Sequence, residues 1–318
     1  MKNIIIDTDM GVDDIVAISL LLLSKKFSVR AISTVFGVSN VKQGAINLKR
    51  VLSFANQKIP VFKGKFQASK PGWKAKFPPQ DCLRANQLTL LTNLSIPKYT
   101  GNAGNIGSID KLYKLVQKQN QKIILVCLGP LTNIAYLANK YQEKFTDKVD
   151  RIYLMGGAVK KPGNVPLLNI AEYNIFLDPE AAKTVFNFNI PIVMIPIDAA
   201  KFAPAMPELV KNLPTQKLLN NFYSKLNLQQ PKNKLGQIIK ELILNNQSDF
   251  NCFYDPIVAA AMEKPKIIKQ FQSGNINVII QGKNRGQTIL TKGRKRNILV
   301  VTKINSLKFY CLILSLII

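Results

Sequence analysis

Short apolar runs alternate with helical patterns along most of this chain of 318 residues, and this alternation restricts its fold more than any other feature. The runs have the length of strands, and they cover residues 2–6, 29–36, 123–128, 151–155, 192–195, 276–280 and 298–301. Buried strands separated by helices are typical of a parallel sheet. We therefore predict an α/β fold with an open, mostly parallel, Rossmann-like sheet covered by helices.

The predicted helices fill the intervals between these strands. They begin near Asp13, Val41, Leu131, Asp178 and Asp255, and a last one covers residues 309–318. Residues 207–250 are rich in Leu, Asn and Lys and indicate a helical insertion. We find no internal repeat and no long linker, and 47% apolar residues suffice for a large core. We expect a single domain spanning residues 1–318.

Four aspartates are crowded into the first predicted strand-to-helix loop. Asp7, Asp9, Asp13 and Asp14 fall within a few residues of each other, and the next acidic residue is Asp81. Carboxylates this close repel each other unless a cation or protons neutralise them. Open α/β sheets bind their ligands in such loops, at the carboxyl ends of strands. The cluster therefore predicts a divalent-metal site, a proton-handling site, or both.

Calcium is the ion that best fits these residues. Asp9, Asp14 and Asp255 each lie where a strand or loop gives way to a helix, and main-chain carbonyls near Leu128 could join them. Ca²⁺ prefers several hard oxygen ligands of this kind. The chain has no histidine and its four cysteines are far apart, which argues against zinc or a redox metal. Magnesium stays an alternative ion, and helix capping is the alternative role for Asp9 and Asp14.

A second polar segment lies between a predicted turn at residues 156–157 and the helix that begins near Asp178. It contains Asn164, Glu172 and Asn174 in an otherwise apolar stretch. Amide and carboxylate groups suit a pocket that hydrogen-bonds several hydroxyls, as a sugar requires. Ordinary turn chemistry is the alternative, because Asn and Gly are common in turns.

The chain is strongly basic, with 44 Lys and Arg against 18 Asp and Glu and a formal net charge of +26. Such an excess can indicate nucleic acid or an anionic surface as a partner. Here the lysines are scattered, and only residues 283–296 form a dense group, which we interpret as a solvated loop. We expect no nucleic-acid partner, and salt-sensitive RNA binding is the alternative.

The two ends of the chain carry no membrane signal. No charged and apolar leader precedes the first strand, and the apolar end at residues 309–318 is far shorter than a membrane span. The cysteines match no disulfide framework, which agrees with a reducing compartment. We expect no membrane partner and a cytoplasmic location.

The Asp-rich opening resembles the first motif of the nucleoside hydrolases, the inosine-uridine-preferring ribonucleoside hydrolase family. Other stretches fit the family in the same order, namely Gly129-Pro130-Leu131-Thr132-Asn133-Ile134-Ala135, Met155-Gly156-Gly157, Gly163-Asn164, Ala171-Glu172-Tyr173-Asn174, Asp178-Pro179-Glu180-Ala181-Ala182 and Asp255-Pro256. This resemblance covers essentially the whole chain. It implies the nucleoside hydrolase fold, calcium at the carboxyl edge of the sheet, and hydrolysis of the N-glycosidic bond of ribonucleosides in nucleoside catabolism and salvage.

The resemblance also implies a role for individual residues. The metal ligands would be the carboxylates of Asp9, Asp14 and Asp255 and the main-chain oxygen of Leu128. Asp9 would in addition be the base that deprotonates the attacking water. The sugar-binding residues would be Asp13, Met155, Asn164, Glu172 and Asn174. Asp7 would support the ligating groups from behind, and the protein would be a homo-oligomer, a dimer or a tetramer.

Some positions depart from the family pattern. Tyr254 replaces the histidine that precedes the last metal-binding aspartate in many relatives, and we take it as the candidate acid for the departing base. Val38 replaces an asparagine, and Asn40 is the nearby candidate for its sugar contact. The preferred base stays open, because residues 66–106 and 201–253, which we expect on the base side of the pocket, contain no decisive pair of aromatic residues.

Two classes of function therefore stay open at this point. The first is an active, metal-dependent N-ribohydrolase, and the second is a catalytically silent protein that binds nucleosides or ribose. The departures at Val38 and Tyr254 motivate the second. A phosphatase with an Asp-x-Asp nucleophile is a third interpretation, but the residues after Asp9 and the single Asp255 fit it poorly.

Overall fold

A computed structural model describes residues 1–70, 75–166, 169–245, 251–292 and 297–318. Two predicted features lie partly outside the described residues. They are the end of the helical insertion, at 246–250, and part of the dense basic group, at 293–296.

Ten strands form one sheet in the described part of the chain. The strands are β1 (Lys2–Thr8), β2 (Phe27–Thr34), β3 (Val61–Lys63), β4 (Gly107–Ser108), β5 (Ile123–Cys127), β6 (Val149–Met155), β7 (Ile192–Ile195), β8 (Ile268–Val278), β9 (Thr288–Thr291) and β10 (Ile298–Ile304). The helices are α1 (Val12–Leu23), α2 (Val41–Phe54), α3 (Pro79–Gln87), α4 (Ile109–Gln117), α5 (Thr132–Tyr141), α6 (Glu143–Thr146), α7 (Tyr173–Leu177), α8 (Pro179–Phe186), α9 (Ile197–Ala200), α10 (Leu213–Leu228), α11 (Lys234–Asn245), α12 (Asp255–Glu263) and α13 (Ser306–Ile317). Short 3₁₀ turns lie at Thr89–Leu91, Ala103–Asn105, Pro207–Leu209 and Pro265–Ile267.

The sheet order is β4-β3-β2-β1-β5-β6-β7-β10-β8-β9. Neighbours from β4 to β10 in this order pair in parallel, and only β8 runs antiparallel, to both β10 and β9. The prediction of an open, mostly parallel sheet covered by helices is confirmed. The chain winds from β1 outward to β2 on one side and later returns to β5 on the other. The carboxyl ends of β1 and β5 therefore flank a topological switch point, where such sheets bind ligands.

The two faces of the sheet bury separate apolar clusters. Along β1, Ile4 and Ile6 pack on the face covered by α1, α12 and α13, whereas Ile5 packs on the face covered by α4, α5 and α8. All three side chains are buried, and burial of one such side chain stabilises the fold by about 1.5–3 kcal/mol. Because both faces are covered, the strand needs no polar alternation, which explains its continuous apolar run.

Several elements differ from the sequence prediction. The strand predicted at 276–280 is the longer, antiparallel β8, whose first half is exposed and carries polar residues such as Lys269 and Gln272. The first half of β8 was not predicted, because this exposed segment contains no apolar run that would indicate a strand. The strands β3, β4 and β9 were not predicted, because two to four residues are too few to show a periodic pattern.

Helices α10 and α11 lie in the stretch predicted to be helical, and α11 packs against α1. The final helix, α13, begins three residues earlier than predicted, after an Asn305 side chain that accepts from Lys308 N at 3.1 Å. Among the described residues, no helix has both the length and the apolar character needed to cross a membrane.

Candidate active site

A cavity of about 260 Å³ opens at the switch point between β1 and β5. The two strand ends are joined there, since Leu128 N donates to Asp7 O at 2.8 Å. The lining residues are Asp9, Gly11, Val12, Asp13, Asp14, Val38, Phe77, Asp81, Arg84, Ala85, Leu128, Met155, Asn164, Glu172, Tyr173, Asn174, Asn251, Tyr254 and Asp255. All the predicted metal-binding and sugar-binding residues except Asn40 are among them.

The loop between β1 and α1 is held in an unusual backbone conformation. Met10 is buried and has a φ of +60°, a left-handed conformation that non-glycine residues rarely adopt. Its N–H donates to Thr8 Oγ1 at 2.9 Å, and the Thr8 hydroxyl donates in turn to Asp14. Gly11 N donates to the other Asp14 oxygen at 2.9 Å. The capping role considered for Asp14 therefore exists, alongside its position in the cavity.

Backbone from two other loops encloses the Asp9 carboxylate. Val38 N donates to Asp9 Oδ2 at 2.8 Å. A Cβ at Gly37 would lie 2.0 Å from the same oxygen, and one at Gly129 would lie 3.0 Å from the Asp9 Cβ. The first approach requires glycine, and the second leaves little room for a larger residue. The carboxylate is therefore oriented by main chain on both sides, which fixes it relative to the rest of the cavity.

Three other aspartates form a compact group of oxygen donors. Carboxylate oxygens of Asp13, Asp14 and Asp255 all lie within 4.8 Å of one another. Asp255 reaches this group because the Ala-rich helix α12 packs directly against α1. Oxygens that bind one Ca²⁺ at 2.3–2.6 Å lie up to about 5 Å apart. The donor set therefore fits a hard divalent cation.

The composition of this compact group differs from the predicted metal set. Asp13, predicted to bind the sugar, belongs to it, whereas Asp9 lines the cavity beside it with one oxygen held by Val38 N. The side chains of Asp14 and Asp255 share a hydrogen bond, which draws these two acids together.

Burial and mutual repulsion raise the pKa values of the acids in the cavity. Desolvation is the main cause for each of them; it raises the pKa of Asp14 to about 7, and the pKa values of Asp9 and Asp255 lie well above their usual range. The neighbouring Asp14 charge is the next cause for both Asp9 and Asp255. Protons or a cation must therefore neutralise this group, as its crowding in the sequence predicts.

Asp7 lies behind the cavity rather than in it. It is buried and accepts hydrogen bonds from the Ser33 hydroxyl and from Asn133 Nδ2, the latter at 2.7 Å. Burial raises its pKa to about 7. Asn133 also donates to Thr34 O, so this network ties the ends of β1 and β2 to the start of α5.

Glu172 and Asn174 stand at the start of α7 and are fixed by main-chain contacts. The Glu172 carboxylate accepts from Gly157 N and Asn174 N, both at 2.9 Å, and burial raises its pKa to about 7. The Asn174 amide donates to Leu128 O at 3.0 Å and to Met155 O at 3.3 Å. It therefore bridges the ends of β5 and β6, and the turn chemistry considered for this segment serves to orient groups toward the cavity.

Asn164 reaches the cavity from the preceding loop. Its side-chain oxygen accepts from Tyr173 N at 3.0 Å, and its own N–H donates to Ala171 O. A Cβ at Gly163 would lie 1.9 Å from Ala171 O, so glycine is required for this close approach. The Gly-Asn pair thus packs directly against the Ala171–Asn174 segment.

Two residues that the sequence suggested as substitutes behave differently from expectation. Asn40 is exposed and does not line the cavity; its side chain caps α2 by accepting from Lys42 N and Gln43 N. Val38 occupies the cavity wall instead. Tyr254 does line the cavity, but burial raises the pKa of its phenol further above the usual value. It therefore keeps its proton at neutral pH and is a poor acid.

Sequence reasoning did not identify one wall of the cavity. Asp81, Arg84 and Ala85 lie on one face of α3, at i, i+3 and i+4, and Phe77 precedes the helix. Phe77 stacks on Tyr173 with ring centroids 4.4 Å apart. The available signals were the Pro78-Pro79 helix start and Asp81, the first acid after a long acid-free stretch. Both fall in the region 66–106 that was expected near the base.

The family model for inosine-uridine preferring nucleoside hydrolases matches residues 4–311. This chain belongs to that family. As a nucleoside hydrolase it carries its acidic loop at the carboxyl end of β1. Membership leaves the phosphatase interpretation without support.

Two curated relatives are similar to this nucleoside hydrolase over part of its length. A pyrimidine-specific ribonucleoside hydrolase, RihA, of Shewanella oneidensis is 34% identical over 214 residues, which is 66% of this chain and 63% of that protein. The chain thus spans a little under two thirds of that relative. A non-specific ribonucleoside hydrolase, RihC, of Escherichia coli is 30% identical over 225 residues, which is 70% of this chain and 71% of that protein.

A solved structure extends the likeness to the whole chain. The purine-preferring ribonucleoside hydrolase from Gardnerella vaginalis is 25% identical and superposes with a TM-score of 0.78 over 99% of both chains. The three relatives are described as pyrimidine-specific, non-specific and purine-preferring. Relatives of this family are thus described with different base preferences.

Proposed function

We propose that this nucleoside hydrolase cleaves the N-glycosidic bond of ribonucleosides with water and releases the free base and ribose. One observation carries the proposal. The acids of the β1–α1 loop and Asp255 line the same cavity as Asn164, Glu172 and Asn174. A cation site and a set of hydroxyl-binding groups in one cavity suit a sugar held during hydrolysis. The relatives' descriptions as hydrolases favour an active enzyme over a silent binder.

We infer that the cation is calcium. Asp9, Asp14 and Asp255 would hold it together with the Leu128 carbonyl, which accepts from Asn174 and keeps a second lone pair. All of these donors are oxygens, and no histidine or cysteine is among the described lining residues. When bound, calcium neutralises the carboxylates and lowers the pKa of a ligating water.

Asp9 is the proposed base for the attacking water. Val38 N donates to Asp9 Oδ2 and fixes the orientation of this carboxylate in the cavity wall. A general base must be ionised and must lie within hydrogen-bond reach of the proton that it takes. Calcium bound beside Asp9 would favour the ionised carboxylate.

The sugar pocket is proposed to consist of Asp13, Asn164, Glu172 and Asn174, with Met155 packed against the ring. Glycosidic cleavage passes through a sugar that resembles an oxocarbenium cation. Carboxylates and amide oxygens that are already oriented by main-chain hydrogen bonds stabilise this positive charge without reorganising. The negative cavity is thus useful even though the exterior is basic.

We further propose a homo-oligomer, a dimer or a tetramer, in the cytoplasm, acting in nucleoside catabolism and salvage. The four cysteines, Cys82, Cys127, Cys252 and Cys311, are free, which fits a reducing compartment. Light scattering on the purified protein tests the oligomer, and a monomeric mass would contradict it.

The proposed function is tested by ribose release from a panel of purine and pyrimidine nucleosides. The protein loaded with calcium should release ribose, the chelated protein should not, and calcium should restore activity. Asp9→Asn should lower kcat by about 10²–10⁴-fold, since it removes a general base. Asp110→Asn, at a surface ion pair with Lys140, is the matched control and should leave kcat unchanged. Tight nucleoside binding by calcium-loaded protein with no ribose release would instead show a silent binder.

A further inference from the structure

A nucleoside hydrolase must stabilise the base as it departs, and this chain lacks the side chain best suited to that task. When the N-glycosidic bond breaks, its electron pair moves onto the ring nitrogen of the base. A histidine near its ordinary pKa of about 6.5 can donate a proton at neutral pH. The chain has no histidine at any position. The departing base must therefore be stabilised by a different kind of group.

Arg84 is the one cationic side chain among the described residues that line the cavity. It projects from α3 together with Asp81, whose Oδ1 lies 3.5 Å from Arg84 Nη1. Its side chain is 34% exposed, so the guanidinium is neither fully solvated nor sealed from the cavity. A guanidinium carries a permanent positive charge in proteins and presents its N–H donors in a fixed planar fork.

Apolar packing positions Arg84 in addition to its ion pair with Asp81. The residue also borders a small apolar cavity lined by Met10, Leu88, Leu91 and Leu242. Buried Leu88 and Leu91 follow α3 directly and belong to the main core cluster. Because Arg84 borders both cavities, its aliphatic part can lie against apolar surface while its guanidinium stays beside the Asp81 carboxylate. This arrangement limits the positions of the guanidinium before a substrate binds.

We propose that Arg84 is the electrophilic residue that stabilises the departing base of the nucleoside, in place of a proton donor. The inference rests on the proposed hydrolase function. Its guanidinium donates hydrogen bonds to the base atom that shares the developing negative charge, which is O2 of a pyrimidine or N3 of a purine. Asp81 is a positioning residue that orients the guanidinium.

The bonds and protons of this step balance without a further reactant. The water oxygen forms a bond to the anomeric carbon, and one water proton goes to Asp9. The bond from that carbon to the base nitrogen breaks, and its electron pair stays on the base as an anion paired with Arg84. The base anion then takes a proton from solvent water, and Asp9 loses its proton to solvent. The products are ribose and the neutral base.

The test compares two substrates that differ in their need for such stabilisation. Uridine releases the uracil anion, which depends more on the enzyme for stabilisation, whereas 4-nitrophenyl β-D-ribofuranoside releases a phenolate that its nitro group already stabilises. We expect Arg84→Gln to lower kcat for uridine by about 10²-fold, the usual effect of removing one electrostatic donor, and to change kcat for the nitrophenyl riboside by less than about 3-fold. A structural role would lower both equally.

Two further variants keep the test decisive. Arg84→Lys keeps the charge and much of the packing but loses the planar fork of donors, so it should retain a large part of the uridine activity. Arg50→Gln removes an arginine that lies in a different groove, where its Nε donates to Pro97 O at 3.0 Å, and both substrates should be unaffected. Thermal unfolding of each variant confirms that it is folded.

The outcomes separate this inference from the proposed function. If the calcium-loaded wild type cleaves neither substrate and no other nucleoside, the hydrolase function itself fails. If the wild type cleaves both substrates, but Arg84→Gln slows both equally or slows neither, the role of Arg84 alone is overturned. Selective loss of uridine cleavage with the nitrophenyl riboside preserved supports it.

Discussion

Asp9 owes its position to neighbouring backbone more than to any side-chain partner. Its carboxylate accepts from Val38 N, and Gly37 and Gly129 allow two loops to approach it closely. The importance of Asp9 was predictable from the sequence, because four crowded aspartates after a strand need neutralising. The glycines that enclose it were not, since glycine in a loop has many roles and its neighbours are distant in the sequence.

Gly37→Ala tests this enclosure directly. The new Cβ would lie 2.0 Å from Asp9 Oδ2, so the carboxylate must move. We expect kcat/KM for ribose release to fall by about 10²-fold, because misplacing a catalytic group by about 1 Å has effects of this size.

Gly282→Ala is the matched control. Gly282 has a φ of +71° but nothing within 4 Å of an added Cβ. Its substitution should lower stability by about 1 kcal/mol through backbone strain and leave kcat/KM unchanged. A Gly37→Ala enzyme as active as the wild type would contradict the account of Asp9.

At the scale of elements, the start of α2 illustrates where sequence reasoning stopped. An asparagine before an amphipathic helix can cap the helix or reach a substrate, and the sequence alone does not distinguish the two. In the structure Asn40 caps α2, and the loop that carries it turns Val38 toward the cavity. The backbone path of residues 38–40 decides which side chain lines the cavity. Ser39 N fixes this path by donating to Asp9 O at 3.1 Å.

Asn40→Ala should therefore act on stability and not on substrate binding. Loss of an N-cap costs about 1 kcal/mol, which urea unfolding would measure, and KM for nucleosides should change by less than about 2-fold. Asn305→Ala removes the cap of α13, far from the cavity in sequence, and should behave in the same way. A large rise in KM with unchanged stability would return Asn40 to the sugar pocket.

At the scale of the whole molecule, the fold brings acids from both ends of the chain to one point. The mostly parallel arrangement of the strands was predictable, because apolar runs and helical patterns alternate along the chain. The pairing of Asp255 with Asp13 and Asp14 depends on the packing of α12 against α1, which no local pattern reveals. The cavity wall formed by α3 was missed for the same reason, because the sequence pattern of a short polar helix does not indicate which face is buried.

The buried acids give the metal-free protein a stability that depends on pH. The pKa of Asp14 is about 7 in the folded state against 3.8 for an ordinary aspartate. A raised folded pKa contributes stability that is present below the unfolded pKa and is lost as pH rises through the folded pKa. The metal-free protein should therefore lose stability between about pH 4 and pH 8, where these carboxylates must ionise without a partner.

Calcium binding requires the ionised carboxylates, so its stabilising effect should grow over the same range. We expect the difference in Tm between calcium-loaded and chelated protein to be larger at pH 8 than at pH 6 by a few degrees, as measured by scanning calorimetry. Asp14→Asn should narrow this difference, and the surface variant Asp110→Asn should not. A difference that shrinks toward pH 8 would contradict the linkage.

The central claim is that acids from both ends of the chain hold one cation in the cavity beside the sugar-binding groups. A crystal structure of the calcium-loaded protein with a ribose-like inhibitor tests it most directly. We predict one calcium ion bound by Asp9, Asp14, Asp255 and the Leu128 carbonyl, in contact with hydroxyls of the inhibitor. An ion bound elsewhere, or an Asp255 side chain that points away from Asp9 and Asp14, would contradict the account.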